Sequence, residues 1–195
     1  MSQFIETISI ADGVVQNLGY HQNRLEKTFA VFFSSPPFKL AECIKDIPSK
    51  GKHKCRVVYS ETEIHVDISP YPTRQISSLK LVYDNDIAYP YKYQDRSALD
   101  QLYAQRQHCD DIIIVKDGLC TDSYFANLAF FDGAQWLTPK HPLLPGTKRQ
   151  KLLDHGLIKS ADITIKALDS YSKVSLINAM LDLGEVEVLV DNISL

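Results

Sequence analysis

The chain has 195 residues, of which 45% are hydrophobic and 23% charged, with 8 glycines and 9 prolines. This composition excludes disordered, collagen-like, coiled-coil and low-complexity proteins, and the length favours one or two domains. The formal net charge of −3 argues against non-specific nucleic-acid binding, so no nucleic-acid partner is expected.

The N-terminal sequence lacks the pattern of a signal peptide, because Glu6 and Asp12 interrupt its apolar stretch and no basic region precedes them. No apolar run approaches the roughly 20 residues that span a bilayer, so no membrane association is expected. The cysteines form no CxxC pair and are interpreted as reduced thiols: Cys43, Cys55, Cys109 and Cys120. Together these features predict a cytoplasmic protein.

The first part of the chain predicts strands with two helices among them. Alternating apolar residues predict strands, helical spacing of Leu25, Phe29 and Phe32 predicts the longer helix, and Pro36-Pro37 ends it. In chain order we predict a strand at 4–10, helices at about 20–33 and 39–45, a hairpin at 55–59 and 63–68, and a strand at 79–83.

The second part is richer in strands. Ser97 and Asp100 predict a capped helix start, and Asp-Gly pairs at 117–118 and 132–133 predict two hairpins. A helix is expected at 146–155, closed by Gly156, with strands at 173–180 and 186–190. The connector at residues 84–90 separates two predicted domains, a small α/β domain at 1–88 and a β-rich domain at 89–195.

Several common catalytic motifs are absent from the sequence. There is no GxGxxG, GxxxxGK[ST], HExxH or GxSxG, which removes the usual dinucleotide, nucleotide, zinc-protease and esterase hypotheses. His53 and Cys55 form an HxC pair without a second half at metal-site spacing, so no metal site is predicted.

Three segments suit a binding site, although each also has a plain structural interpretation. Lys92 follows two tyrosines, and if these bury its amine, the amine becomes nucleophilic enough for Schiff-base chemistry. The alternative is that Lys92 is a solvated surface lysine. Asp122 lies in a polar run between two strands, either a binding-site turn or a hairpin edge. The segment 143–149 predicts a helix start after a Pro-Gly turn, which offers free amides to a phosphate or simply joins two elements.

Taken together, the three segments are less easily dismissed. An amine for a Schiff base, an acid for a pyridinium nitrogen and a helix start for a phosphate are the parts that pyridoxal 5'-phosphate (PLP) requires. They favour PLP as the cofactor and a small amino compound as the substrate.

A series of short motifs occurs in one order along the chain: an opening strand and turn at 4–13, HxxRL at 21–25, KxxxR at Lys92 and Arg96, Thr121-Asp122 with Asn127 as a TE…N variant, LxGxxR at 144–149, and Ile177-Asn178-Ala179-Met180. In this order they resemble the class IV aminotransferases, the fold type IV PLP enzymes that include branched-chain and D-amino-acid aminotransferases and 4-amino-4-deoxychorismate lyase. The resemblance implies an α+β fold, with a small α/β N-terminal domain followed by a larger β-rich, barrel-like C-terminal domain, and a homodimer.

The resemblance also implies roles for particular residues. Lys92 would form the Schiff base with the cofactor and move the proton at the substrate's α-carbon. Arg24 would bind the phosphate, together with the amides of Gly146 and Thr147. Asp122 would pair with the pyridine nitrogen and keep it protonated. Asn127 and Asn178 complete the expected cofactor contacts.

Two departures from the family pattern affect these expectations. Asp122 stands where members usually carry Glu, which keeps the charge but shortens its reach, so the ring or strand must shift or a water must bridge. The chain is also shorter than typical members, mostly in the first domain, which helps to shape the substrate pocket. Arg56 and Tyr91 are the candidates for substrate contact, with Arg56 meeting a carboxylate.

We predict a reaction like that of 4-amino-4-deoxychorismate lyase, which releases pyruvate and 4-aminobenzoate for folate synthesis. Asn178-Ala179-Met180 favours the lyase, because transaminases carry a Thr-containing segment there. Amino-acid transamination is the first alternative, and a non-catalytic homologue that binds PLP or a metabolite is the second. A third alternative is that the resemblance reflects the fold alone.

Overall fold

The computed structural model of the protein describes residues 3–194. They divide into two compact units, the first made of residues 3–73 with 91–95 and the second of residues 74–90 with 96–194. In the first unit, two strands and two helices precede a hairpin: β1 Phe4–Ala11, β2 Val14–Val15, α1 Leu18–Phe32, α2 Leu40–Cys43, β3 Lys52–Tyr59 and β4 Ile64–Pro70. The strands form an antiparallel sheet in the order β2-β1-β3-β4.

The core of the first unit lies on one face of this sheet. Successive side chains of a strand point to opposite faces, so alternate residues of β1 and β3 share the buried face. They pack with the apolar face of α1 to form one cluster: Phe4, Ile8, Ile10, Cys55, Val57, Tyr59, Leu25 and Phe29. The same alternation places Glu6 on this face, where it is fully buried.

The segment that carries Lys92 runs along the beginning of β1. The amide of Ile5 donates to the carbonyl of Lys92 at 2.9 Å, and the amide of Gln94 donates to the carbonyl of Gln3 at the same distance. Phe4 and Tyr93 form the antiparallel bridge between these two bonds. The backbone of Lys92 is therefore fixed beside Ile5 and Glu6.

The second unit contains two sheets. Its elements are β5 Leu79–Tyr83, α3 Ser97–Tyr103, β6 Asp111–Lys116, β7 Leu119–Cys120, β8 Asn127–Phe131, β9 Trp136–Pro139, α4 Thr147–Asp154, β10 Lys159–Ala161, β11 Lys173–Ile177, β12 Glu187–Leu189 and β13 Ile193–Ser194. Short 3-10 helices cover Ala104–Arg106, Ile165–Ser170 and Val190–Asn192. The strand orders are β13-β5-β6-β7 and β10-β9-β8-β11-β12.

Most predicted elements occur within a few residues of their expected bounds. The turn at Asp117-Gly118 has positive φ at both residues, as the tight hairpin turn requires, and it joins β6 to β7. Gly156 has a φ of +66° directly after the last turn of α4. All four cysteines are free thiols.

Three details differ from the sequence-based expectations. Residues 74–88, which we assigned to the first domain, belong to the second unit because β5 pairs in parallel with β6, and residues 91–95, which we assigned to the second domain, belong to the first unit because they pair with the beginning of β1. Arg96, and not Ser97, occupies the cap position of α3, and Asp100 accepts a hydrogen bond from Tyr124 instead of completing a capping box. The strand expected at 173–180 ends at Ile177, because Asn178 turns the chain.

Within residues 3–194, no helix combines the length and the apolar character that crossing a membrane requires. The same part of the chain contains no group of three or more His, Cys, Asp or Glu side chains able to hold a metal ion.

Candidate active site

The turn between β7 and β8 carries Asp122 and Asn127, which face each other across an antiparallel bridge. The side-chain amide of Asn127 donates to Asp122 Oδ1 at 2.7 Å and to the carbonyl of Leu144 at 2.8 Å. The backbone amide of Leu144 donates to Asp122 Oδ2 at 2.8 Å. Asp122 and Asn127 are thereby tied to the segment that leads into α4.

The carboxyl group of Asp122 is buried and surrounded mainly by neutral donors. Burial raises its pKa from 3.8 to about 6, although the hydrogen bonds from Leu144 and Asn127 and the charge of Arg149 act in the opposite direction. Arg149 is itself buried and donates to Thr138 and to the carbonyl of Pro139. The carboxyl group of Asp122 therefore ionises at a higher pH than an exposed aspartate, and a cationic ligand would stabilise its ionised form.

The start of α4 lies directly beside this acid. Gly146 occupies the cap position with a φ of −72° and makes no side-chain cap bond to the helix. Thr147, Lys148 and Arg149 are nevertheless buried. A Cβ at Gly146 would lie 2.0 Å from Asn127 Oδ1, so only glycine allows this close approach. Buried amides at a helix start suit a phosphate group.

A second buried carboxylate occupies the first unit. Glu6 accepts hydrogen bonds from Arg24 Nε at 2.7 Å and Arg24 Nη2 at 2.6 Å, in a bidentate ion pair. His21 Nδ1 lies 2.6 Å from Glu6 Oε2. β1 supplies the acid, while one turn of α1 supplies both partners, because residues three apart in a helix share a face.

These interactions fix the charges of the cluster. Burial would raise the pKa of Glu6, but the Arg24 charge and the hydrogen bonds from His21 and Arg24 lower it to about 2. Burial lowers the pKa of His21, and together with the charges of Arg24 and Lys92 it outweighs the raising effect of the adjacent carboxylate. His21 is therefore a neutral imidazole that donates Nδ1–H to a permanently ionised Glu6.

Lys92 belongs to the same part of the first unit. Its charge is one of those that lower the pKa of His21, and its backbone is bonded to Ile5 beside Glu6. The neighbouring Tyr91 is half-buried and packs edge-on against Phe32, with ring centroids 4.8 Å apart. The sequence-predicted Lys92 and Arg24 thus flank one charged cluster.

Arg56 lies on the other face of the sheet. It is opposite Thr7 and Asp67 in the register, whereas Val57 is opposite Glu6, so the pleat directs Arg56 away from the Glu6 face. Arg56 is half-buried. The structure therefore separates this predicted substrate residue from the Arg24 cluster.

Asn178 closes the turn after β11. Its Oδ1 accepts the amides of Met180 and Leu181 at 2.8 and 2.9 Å, and its side-chain amide donates to the carbonyl of Phe125 at 3.3 Å. Asn178 thus contacts the turn that carries Asp122 and Asn127, and in the second unit these three residues and Gly146 belong to one connected network.

The sequence interpretation did not single out Glu6, His21 or Arg149 as site residues. The signal for Glu6 is an acidic residue at a core-facing position of an alternating strand, since a buried charge requires a partner. His21 and Arg24 stand three residues apart in a helix, which indicates that they share a partner. Arg149 is the last residue of the LxGxxR motif, which marked its position but not its role.

Comparisons with known proteins identify the family of this chain. The chain matches the amino-transferase class IV family over residues 3–188. An uncharacterised protein of Haemophilus influenzae is 33% identical over 185 residues, which cover 92% of this chain and 98% of that protein. A crystal structure named as a candidate 4-amino-4-deoxychorismate lyase of Haemophilus somnus is 35% identical, with a TM-score of 0.89 over 94% of this chain and 98% of that one.

A hypothetical aminotransferase of Mycobacterium tuberculosis in its PLP-bound form has a TM-score of 0.79 at 19% identity, covering 98% of this chain and 81% of that one. At this identity the likeness concerns the fold, and it agrees with the predicted α+β fold of the type IV PLP enzymes. The family match and the relatives that are matched over nearly their whole length show that the chain belongs to the class IV aminotransferases, a family of PLP-dependent enzymes.

Proposed function

We propose that this protein is a PLP-dependent enzyme that holds its cofactor through Lys92 and cleaves 4-amino-4-deoxychorismate to pyruvate and 4-aminobenzoate. One observation in the second unit supports PLP as the cofactor. The buried carboxyl group of Asp122 is joined, directly and through Asn127, to Leu144 in the segment that leads into α4. The choice of the lyase reaction is supported by the name of the Haemophilus somnus relative and by Asn178-Ala179-Met180.

The residues of the second unit suit PLP in their charge and in their closeness to one another. On the pyridine ring of PLP, one carbon atom separates the nitrogen from the carbon that bears the phosphate arm, so the groups that bind the two ends must be close neighbours. Asp122 and the segment entering α4 are directly hydrogen-bonded, and the lack of a side chain at Gly146 leaves room for Asn127, which bonds to both. An acid with a raised pKa suits a ring nitrogen that carries a proton, because the cation would stabilise the carboxylate.

Each predicted cofactor residue then has a definite task. Asp122 binds the ring nitrogen, and the amides of Gly146 and Thr147 bind the phosphate. Arg24, in the first unit, is the phosphate ligand that the family resemblance implies. Asn127 fixes the acid relative to the helix start, and Asn178 holds the turn from the other side. Glu6 keeps the Arg24 guanidinium in one orientation.

When bound, PLP supplies an electron-withdrawing ring that acidifies the α-carbon of an attached amino compound. Lys92 takes the proton at that carbon and gives it to the enolpyruvate group, which leaves as pyruvate. Of the two predicted substrate residues, Tyr91 is next to Lys92 and contacts the substrate, whereas Arg56 lies on the opposite face of the sheet. As in the family, we propose a homodimer, and we place the enzyme in the cytoplasm.

The cofactor proposal is tested by adding PLP to the purified protein and reducing with sodium borohydride. We expect an absorbance band at the edge of the visible range that borohydride removes, and a peptide modified at Lys92. Lys92→Ala should lose the band and the modification, while Lys45→Ala, an exposed lysine of the same unit, should keep both. A wild-type protein that takes up no PLP contradicts the proposal.

The reaction is tested by supplying 4-amino-4-deoxychorismate to the PLP-loaded protein without a keto acid. Pyruvate release under these conditions supports the lyase. Turnover of amino acids that depends strictly on a keto acid would identify a transaminase instead. PLP uptake without either reaction would identify a non-catalytic homologue.

A further inference from the structure

The Asp122–Asn127 turn has a tip of two residues that lie outside its buried base. The amide of Ser123 donates to the carbonyl of Ala126 at 2.8 Å, and the hydroxyl of Ser123 accepts the amide of Ala126 at 3.0 Å. Every residue from 121 to 127 is buried except Tyr124 and Phe125, which are half-buried. The position of the turn therefore depends on what holds these two residues.

Tyr124 is held by three different groups. Arg96 Nη2 donates to its carbonyl at 2.6 Å, and the Arg96 guanidinium lies 4.4 Å from the centre of its ring. The ring stacks on Tyr103 of α3 with centroids 4.2 Å apart, and its hydroxyl donates to Asp100 at 2.7 Å. The contact series continues to Arg106, whose guanidinium lies 4.2 Å from the Tyr103 ring.

The contacts with Tyr124 explain the conformation of the Arg96 side chain. Its Nε is buried without a hydrogen-bond partner in residues 3–194, and its backbone carbonyl begins α3 by accepting the amide of Asp100. The side chain of Arg96 therefore binds the carbonyl of Tyr124 and packs on its ring. Residues of α3 and its cap thus clamp the tip of the turn that carries Asp122.

The clamp matters because the acid is an aspartate. A glutamate has a further rotatable bond with which to reach a ring nitrogen, whereas an aspartate depends on the placement of its own backbone. Displacements of about 1 Å in groups that position a substrate or cofactor cost up to about a hundredfold in function. The backbone of Asp122 is two residues from the atom that Arg96 holds.

We infer that Arg96 and Tyr124 are positioning residues that set the distance between Asp122 and the cofactor's ring nitrogen. This inference rests on the proposed function and adds to it a cause for the placement of the acid. Arg96 and Tyr124 act through the turn, and neither is required to touch the cofactor.

The test compares PLP affinity, measured by fluorescence titration of the apoprotein, in wild type and variants. Arg96→Gln should weaken PLP binding about tenfold, as expected for the loss of a hydrogen bond from a charged donor. Arg106→Gln is the matched control, because the Arg106 side chain belongs to the same contact series but binds the carbonyl and ring of Tyr103, which is not part of the turn, and it should change affinity less than twofold. Equal affinities for Arg96→Gln and wild type would overturn the inference.

A double-variant cycle separates positioning of Asp122 from a general loss of structure. In an Asp122→Asn background, Arg96→Gln should weaken PLP binding by less than twofold, because the group that it positions has already been removed. An equal tenfold loss in both backgrounds would overturn the inference. If wild type itself binds no PLP, the proposed function fails and this inference fails with it, so the two failures are distinguishable.

The ring nitrogen provides a direct spectroscopic readout. With PLP labelled with 15N in the ring, the wild-type signal should be that of a protonated nitrogen, and Arg96→Gln should shift it toward the unprotonated form. Arg106→Gln should leave the signal in place. Should Arg96→Gln fail to fold, Tyr124→Leu removes the ring from the same clamp, and an unchanged 15N signal in that variant would overturn the inference.

Discussion

Two buried carboxylates of this protein, Glu6 in the first unit and Asp122 in the second, titrate in opposite directions. Both are removed from solvent, and burial alone raises the pKa of each. Glu6 is bound bidentately by Arg24 and its pKa falls to about 2. Asp122 is bound by the amides of Asn127 and Leu144 and its pKa rises to about 6.

The contrast shows that the charge of the partner, and not burial, decides the state of a buried acid. Glu6 already has its cation, so it serves to hold Arg24 in place. The charge of Arg149 lowers the pKa of Asp122 only slightly, so a cationic ligand would be stabilised more by Asp122 than by Glu6. A protonated pyridine nitrogen would supply to Asp122 what Arg24 supplies to Glu6.

The largest expected effect comes from breaking the Glu6 cluster. Glu6→Gln leaves the guanidinium of Arg24 without its counter-ion, and removal of one partner of a buried ion pair typically costs about 3–5 kcal/mol of unfolding free energy. The measurement is urea unfolding at pH 7. Glu26→Gln on α1 is the control, since Glu26 makes an exposed 3.6 Å ion pair with Lys39 and accepts a hydrogen bond from Gln22 that a glutamine oxygen can also accept, and it should cost less than about 1 kcal/mol. Similar losses in the two variants would contradict the distinction.

The pH dependence of stability tests the second acid. A carboxyl whose folded pKa exceeds its unfolded value stabilises the fold at low pH, and that stability is lost as the pH rises through the folded pKa. For Asp122 the rise from 3.8 to about 6 corresponds to about 3 kcal/mol, lost between about pH 4 and pH 6. Relative to wild type, Asp122→Asn should therefore gain stability across this window and remain constant above it.

Urea unfolding of the apoproteins at intervals from pH 4 to pH 8 measures this difference. Asp111, whose pKa burial also raises to about 6, is present in both proteins and cancels in the comparison. Saturation with PLP should flatten the dependence if the ring nitrogen supplies the missing cation. A wild-type curve parallel to that of Asp122→Asn throughout would show that Asp122 is not the group that titrates.

The sequence predicted the elements of this fold better than their partners. β1, α1 and α4 have clear periodicity and end signals, and the structure places them close to the expected bounds. The assignment of β5 differed because its partner β6 begins about thirty residues later, and a parallel pairing leaves no turn signal between the strands.

The candidate site shows the same limit. Asp122, Asn127 and Gly146 each stood out as a motif residue, but the hydrogen bonds that join them depend on how two distant segments meet. Glu6 carried a usable signal, a charge at a core-facing strand position, whereas Arg24 as its partner became evident only when α1 packed on β1. Short-range patterns identified the groups, and tertiary packing determined their partners.

The smallest expected effect comes from the close approach of Gly146 and Asn127. It tests whether Asp122, Asn127 and the start of α4 depend on one another for their positions. The φ of Gly146 is acceptable for alanine, so the only obstacle to Gly146→Ala is the 2.0 Å approach of its Cβ to Asn127 Oδ1. Displacing Asn127 would break its bonds to Asp122 and Leu144, at a cost of about 1–3 kcal/mol in unfolding free energy. Gly19→Ala is the matched control, because a Cβ at Gly19 meets no heavy atom within 4 Å, and it should not destabilise the protein.

Compensation distinguishes this clash from a general intolerance of alanine at residue 146. In an Asn127→Ala background the obstructing oxygen is absent, so adding Gly146→Ala should cost less than about 0.5 kcal/mol. The full cost in both backgrounds would mean that another group limits the space at Gly146. If compensation occurs, glycine is required at this position because Asn127 must bridge Asp122 to the start of α4, and the acid and the helix start then move together.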